Sequence, residues 1–192
     1  MTCDGSGRKT STHKEIDMDS TLPGTWGRTA KAAVLSPCGR DRYRLSRIWG
    51  DGPPVNFVML NPSTADHEVD DPTIRRCVGF AKAWAYGGLV VTNLFPYRAT
   101  SPKDLFKAID RHGPDGTPCI NREHIQDVAR SAGLIVCAWG THADPNIAAV
   151  TCRLLRESNP AGLHSLKLTK HGLPSHPLYL PLGCAPTPWV PR

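Results

Sequence analysis

Four short polar segments contain most of the residues in this sequence that could do chemistry. Each follows an apolar run, and they cover residues 61–66, 93–98, 139–144 and 169–177. An asparagine amide such as that of Asn61 can orient a water molecule, although it cannot take the proton of that water. A histidine such as His176 can donate a hydrogen bond to an atom on which negative charge develops. These residue types suit orienting water and stabilising an anion.

The apolar runs before these segments are typical of strands that are buried on both faces of a sheet. They cover residues 55–60, 89–92, 134–138 and 164–168. Helical spacing between and after them predicts helices over 72–84, 103–109, 121–132 and 146–157. Strands that alternate with helices favour a parallel sheet, in which ligands bind at the carboxyl ends of the strands. The sequence therefore predicts that the four polar segments meet at one edge.

The fold class that this pattern predicts is α/β, with three α/β/α layers and a central, mostly parallel four-stranded sheet. Residues 30–35 and 43–49 flank a turn, which predicts an additional N-terminal β-hairpin. Residues 1–20 are rich in Ser, Thr, Lys, Asp and Gly, so we expect a flexible lead-in over residues 1–28 and one domain over residues 29–192. Six prolines between Pro174 and Pro191 predict an extended tail, laid on the body without regular structure.

Composition narrows the class of protein without identifying its partner. The net charge of +6 favours an anionic partner, of which nucleic acid is only one. The seven cysteines form no C-x-x-C pair and indicate free thiols in a reducing compartment, so we expect a cytoplasmic protein. No apolar run approaches the roughly 18 residues of a membrane span. We expect a monomer that does not bind membranes.

The histidines and acidic residues near the C-terminus match no familiar metal-binding pattern. They are His142, Asp144, His164, His171 and His176. Their spacing differs from that of zinc sites, and the sequence therefore predicts neither a metal nor another cofactor.

Four motifs resemble, in their order, those of the uracil-DNA glycosylase superfamily. Here they are Leu60-Asn61-Pro62-Ser63, Thr92-Asn93, Ala138-Trp139-Gly140-Thr141-His142-Ala143 and His176-Pro177-Leu178. The superfamily has Gly-x-Asn-Pro or Gly-x-Asp-Pro, a strand ending in an Asn that reads the base, Leu-Trp-Gly-x-x-Ala and His-Pro-Ser. This sequence departs from that pattern at Met59, where the superfamily has Gly, and at Leu178, where it has Ser.

Residues 29–181 also resemble an uncharacterised bacterial and phage family, the domain of unknown function 1643. The shared features are an Asn-Pro-Ser-Thr-Ala-Asp start at Asn61 and a Gly-x-Pro-x-His-Pro-Leu-Tyr-Leu end at Leu180.

The glycosylase resemblance implies a monofunctional enzyme that flips a nucleotide out of DNA and hydrolyses its N-glycosidic bond. It implies that Asn61 places the water and that His176 donates to the departing base. A general base is expected from Asp66, with Asp70 and Asp71 as alternatives. Asn61 could instead cap a turn, and Asp71 could simply be a helix N-cap.

The same resemblance implies two sets of binding residues. Asn93 is expected to pair with a pyrimidine edge, although it could also be a satisfied turn residue. The other expected base-binding residues are Pro62, Ser63, Phe80, Phe95, Tyr97 and Trp139. The expected DNA-backbone contacts are Thr64, Arg75, Arg76, Arg98 and Lys170, although a solvated helix face explains Arg75 and Arg76 equally well.

The identity of the excised base is left open by these motifs. Uracil and a hypermodified phage pyrimidine, such as glucosylated hydroxymethylcytosine, are both candidates, and the second implies a role in phage defence. Two other functions are open, a nucleotide or nucleoside hydrolase that acts on free metabolites and a non-catalytic module that binds modified DNA.

Overall fold

A computed structural model describes residues 30–63, 65–112 and 119–191. The predicted lead-in, residues 1–28, lies outside the described residues, as does Thr64. Within the described part, no helix has the length and apolarity needed to cross a membrane.

A single mixed sheet organises the described chain. Its seven strands are β1 (Ala30–Leu35), β2 (Arg42–Ile48), β3 (Val55–Met59), β4 (Gly88–Asn93), β5 (Leu134–Cys137), β6 (His164–Ser165) and β7 (Thr187–Pro188). Their spatial order is β1-β2-β4-β3-β5-β6-β7. The neighbours β4, β3, β5 and β6 pair in parallel, which confirms the predicted parallel centre of four strands.

The two margins of the sheet differ from the prediction. The predicted hairpin exists as β1 and β2, but β2 also pairs antiparallel with β4 and so belongs to the main sheet. The tail lies on the body as predicted, since Leu180 and Trp189 pack against the two cores, but the predicted absence of regular structure was wrong. Residues 177–179 form a 3-10 helix, and β7 pairs antiparallel with β6. A proline such as Pro188 is tolerated in an edge strand, where one side of the backbone needs no ladder partner.

The four helices are α1 (Pro72–Ala83), α2 (Pro102–His112), α3 (Cys119–Ser131) and α4 (Pro145–Ser158). Two of them begin at an acidic cap followed by proline. Asp71 accepts a hydrogen bond from the Ile74 backbone N at 2.8 Å, and Asp144 accepts one from Asn146 at 2.9 Å. Each cap satisfies a backbone donor that the first helical turn leaves unpaired, and this fixes where each helix begins.

Two hydrophobic cores lie on opposite sides of the sheet because strand side chains alternate. In β3, Phe57 and Met59 join the core that contains α1, whereas Val58 joins the core that contains α2, α3 and α4. Full burial of a side chain of this size contributes about 1.5–3 kcal/mol, so a one-residue slip of register is strongly disfavoured. The alternation therefore determines which residues at the strand ends share a side of the sheet.

Candidate active site at the carboxyl ends of the parallel strands

The loop segments that follow β3 and β4 are joined by backbone hydrogen bonds into one layer of loops. The Leu94 backbone N donates to the Met59 carbonyl at 2.9 Å, and the Ala99 N donates to the Pro62 carbonyl at 2.9 Å. Pro62 is buried and Ser63 is half-buried in this layer. Residues 60–63 and 94–99 are consequently held against each other at the edge where the sequence predicted a site.

The end of β5 brings His176 to the same edge. Gly140 has a φ of 78° and donates its backbone N–H to the Pro174 carbonyl at 2.9 Å. A Cβ atom at Gly140 would lie 3.7 Å from the His176 Cβ. The left-handed backbone favours glycine here, whereas a Cβ atom at that distance would make only an ordinary van der Waals contact.

Asn61 has a fixed amide orientation. Its Nδ2 donates to the Pro62 carbonyl at 2.9 Å and to the Ala99 carbonyl at 2.8 Å. Both amide hydrogens are thereby used within the layer, which leaves Oδ1 as the atom that can accept a hydrogen bond from another molecule.

Asn93 is the most unusual polar residue at the edge. It is the last residue of β4 and fully buried, yet neither Nδ2 nor Oδ1 has a hydrogen-bond partner among the described residues. It lies opposite Met59 in the parallel register, on the side of the sheet that carries α1. Because a buried amide without partners costs about 1–3 kcal/mol, such a residue is rare unless something else pairs with it.

The His176 imidazole is a neutral donor. Its Nδ1 accepts a hydrogen bond from the Leu178 backbone N at 3.4 Å, and burial lowers the pKa of the ring while the charge of Asp71 opposes this shift. A neutral ring that accepts at Nδ1 carries its proton on Nε2. The residue can therefore donate to a substrate without itself being charged.

The acidic residues behind Asn61 have different environments. Asp66 accepts from the Glu68 and Val69 backbone N atoms through Oδ1, and these bonds lower its pKa and make it a weak base. Asp70 is bound by Arg47. Asp71 caps α1, and its charge acts on His176.

The candidate aromatic residues are mostly core residues. Phe80 is stacked on Trp84 under α1, and Phe95 and Trp139 belong to the core on the opposite side of the sheet from Asn93. Tyr97 is half-buried and packs against that second core. The placement of these side chains gives no support to base stacking by Phe80, Phe95 or Trp139.

Tyr179 is an exposed aromatic residue near His176 to which the sequence analysis assigned no role. It is 82% exposed, and its ring centroid lies 6.1 Å from that of His176. Its position in a proline-rich run gave no periodic signal, since it belongs to a short 3-10 helix.

The candidate DNA-binding cations are distributed around the edge. Arg75 is exposed and donates to the Asp70 carbonyl, and Arg76 is half-buried on α1. Arg98 donates to the Gly39 carbonyl at 3.3 Å, which links the β4 segment to the β1–β2 turn. Lys170 is exposed in the turn between residues 169 and 173.

Two further buried polar residues at this edge were missed by sequence reasoning. Asn121 on α3 donates to the Asn93 carbonyl at 3.1 Å and to the Leu94 carbonyl at 3.4 Å. Arg42 at the start of β2 donates to the Ala65 carbonyl at 2.7 Å. The sequence does not reveal their burial, because an Asn in a helix and an Arg in a strand are usually exposed at the surface.

No cluster of three or more His, Cys, Asp or Glu side chains that could hold a metal ion occurs in the part of the chain that the structure describes.

The fold and the edge together define a mixed α/β protein with a group of buried polar residues at the carboxyl ends of its parallel strands. A family model described as "Protein of unknown function (DUF1643)" matches residues 42–178. The match covers well over half of the chain, and the chain therefore belongs to this family. No curated protein and no solved structure matches the chain.

Proposed function

We propose that this protein is a DNA glycosylase that hydrolyses an N-glycosidic bond and leaves an abasic site. The observation that carries the proposal is the buried amide of Asn93, which has no partner among the described residues and lies at the edge of the sheet to which the segments of Asn61 and His176 also belong. An amide presents a donor and an acceptor together, and this matches the edge of a pyrimidine. The proposal includes a uracil-DNA glycosylase-like arrangement of three layers, with α1 on one side of the sheet and α2–α4 on the other.

The chemistry follows from the orientation of three side chains. A flipped base pairs with Asn93, and a water held by Asn61 Oδ1 attacks C1′ of the sugar. The C1′–N bond breaks, its electron pair leaves with the base, and the Nε2–H of His176 stabilises the resulting negative charge. The proton of the water passes to a carboxylate of the 66–71 segment, in which we favour Asp71 over Asp66 because two backbone hydrogen bonds make Asp66 a weak base.

DNA is the partner that fits the exposed, positively charged residues around the candidate site. Arg75 and Lys170 are exposed, and the chain carries a net charge of +6. Exposed cations around a polar pocket suit phosphates that flank a flipped nucleotide. Tyr179 is exposed beside His176 and can contact a neighbouring base when the nucleotide leaves the stack.

The substrate class that we favour is a modified pyrimidine of phage DNA, with uracil as the second candidate. The departures from the uracil pattern at Met59 and Leu178 flank the site and support an altered base pocket. Excision of such a base would serve phage defence.

The test is a panel of normal, uracil-containing and phage-modified DNAs that are incubated with the protein and scored for alkali-sensitive abasic sites. We expect cleavage of one modified DNA, which Asn93→Ala slows by on the order of a hundredfold. Release of base from free nucleotides without DNA cleavage would favour a metabolite hydrolase. Tight DNA binding without any alkali-sensitive site would favour a non-catalytic binding module.

A further inference from the structure

Arg42 is a buried cation at the candidate site. It begins β2, and its backbone N donates to the Pro96 carbonyl at 2.8 Å, three residues after Asn93. Its side chain is 1% exposed and reaches Ala65, which belongs to the core on the α1 side of the sheet. Arg42 and Asn93 are therefore buried at the same edge and on the same side.

The guanidinium of Arg42 has no counter-ion among the described residues. Its one hydrogen bond within this part of the chain goes to a neutral backbone carbonyl, and its Nε has no partner. Arg47 on the same strand is equally buried but fully engaged, with Nε and Nη2 on Asp70 and a further bond to the Asp66 carbonyl. The two buried arginines of β2 thus differ, because Arg47 has a carboxylate partner and Arg42 has only a backbone carbonyl.

Arg42 nevertheless remains positively charged. Burial lowers its pKa to about 10, and the charges of Arg47 and Arg98 act in the same direction while Asp71 and Asp66 oppose them. A group with that pKa is still protonated at neutral pH. Asp71 and Asp66 compensate this charge only from a distance, since neither forms an ion pair with Arg42. Because a buried charge without a direct partner is costly, its presence here points to an anion that arrives with the substrate.

We infer that Arg42 binds the departing base and stabilises the negative charge that forms on it when the C1′–N bond breaks. This inference rests on the proposed glycosylase function and names a residue for the leaving group. Arg42 is as deeply buried as Asn93, so the base rather than a backbone phosphate reaches it. A planar guanidinium with fixed donors suits the carbonyl and ring nitrogen of a pyrimidine anion. The site should therefore prefer bases that leave as stable anions.

The test uses free bases as probes, so that it does not depend on knowing the DNA substrate. Calorimetric titration at neutral pH compares 5-nitrouracil, which its nitro group makes anionic, with neutral uracil. We expect the wild type to bind the anion about tenfold more tightly, a preference that Arg42→Gln loses. Arg44→Gln is the matched control, because Arg44 lies two residues along β2 and interacts with Asp127 of α3.

Thermal melting of the same variants separates this role from a structural one. Arg42→Gln loses one hydrogen bond to the Ala65 carbonyl but also removes a buried charge without an ion pair, so its melting temperature should be unchanged or raised. A wild type that binds both bases alike or binds neither, or an Arg42→Gln variant that keeps the preference, overturns the inference. Anion preference without cleavage of any DNA in the panel would refute the glycosylase function while leaving the role of Arg42 as an anion ligand intact.

Discussion

Two buried asparagines show how the edge at the carboxyl ends of the strands differs from the region where α4 packs against α3. Asn159, after α4, donates to the Ala129 and Ala132 carbonyls and accepts from the Ala161 backbone N. Asn93 is at least as buried, and its side chain makes no hydrogen bond within the described residues. The first is what a structural asparagine looks like, since every buried polar group is satisfied. The strand-end edge therefore contains a buried amide without hydrogen-bond partners among the described residues, and a role in stability does not explain such a group.

The same contrast exists between Arg47 and Arg42, which share one strand. A satisfied arginine and an unsatisfied one lie five residues apart, and the unsatisfied one lies on the same side of the edge as Asn93. Independent residues of different chemistry therefore point to one place in the fold.

The largest effect is expected from Asn61, because the proposed mechanism assigns the attacking water to its Oδ1. Asn61→Ala should slow single-turnover excision by on the order of a thousandfold, because placing the nucleophile acts on the transition state. DNA affinity should hardly change. Near-wild-type turnover in a folded Asn61→Ala variant would remove this residue from the mechanism.

His176→Ala should slow single-turnover excision by on the order of a hundredfold if the ring donates to the leaving base. The pH dependence gives a second readout. The pKa of His176 is lowered below 6.5, so the neutral donor persists as the pH falls to 6.5 and the rate should decline only below that value.

The contribution of His176 to the free energy of unfolding should decline in acid, as the excision rate does. Its folded pKa lies below the unfolded value, so the contribution is complete above pH 6.5 and is lost as the pH falls toward the folded pKa. His124 is the control, because burial and Arg44 lower its pKa too. His124→Gln should alter stability in acid without changing the pH profile of excision. A stability loss with an intact cleavage rate in His176→Ala would make that residue structural.

The comparison of the two asparagines predicts a stability difference of moderate size. Asn159→Ala removes three hydrogen bonds and leaves the Ala132 carbonyl and the Ala161 N–H without partners among the described residues, while the Ala129 carbonyl keeps its bond from the Ala132 N. It should lower the free energy of unfolding by about 2–3 kcal/mol. Asn93→Ala should lower it by less than about 1 kcal/mol, because no hydrogen bond of its side chain is lost. Urea unfolding of both variants measures the difference, and equal losses would contradict the distinction.

The smallest effect concerns single phosphate contacts. Lys170→Ala should reduce the slope of log affinity against log salt by about one, since one counterion fewer is released. Arg156→Ala, an exposed cation on α4, should leave the slope unchanged. A shared slope for the wild type and Lys170→Ala would place Lys170 outside the DNA contact.

The sequence predicted the parallel centre and the position of the polar segments well, because the buried strands are continuous apolar runs. It did not predict that β2 joins β4 or that β7 joins β6, since these pairings depend on long-range register. The polar segments after the apolar runs correctly placed Asn61, Asn93 and His176 at one edge of the sheet. They could not show that Phe95 and Trp139 lie on the opposite side of the sheet, because proximity to a strand end does not specify the side of the sheet. Arg42 was missed because burial of a charged residue is decided only by tertiary packing.

The most direct test of the account is release of free base from a DNA substrate, measured by mass spectrometry for wild type, Asn93→Ala and Asn159→Ala below their melting temperatures. The account predicts release by the wild type and by Asn159→Ala at similar rates, with release by Asn93→Ala reduced by on the order of a hundredfold. Equal release by Asn93→Ala and wild type would contradict it, because the unsatisfied amide at the strand end would then have no part in excision.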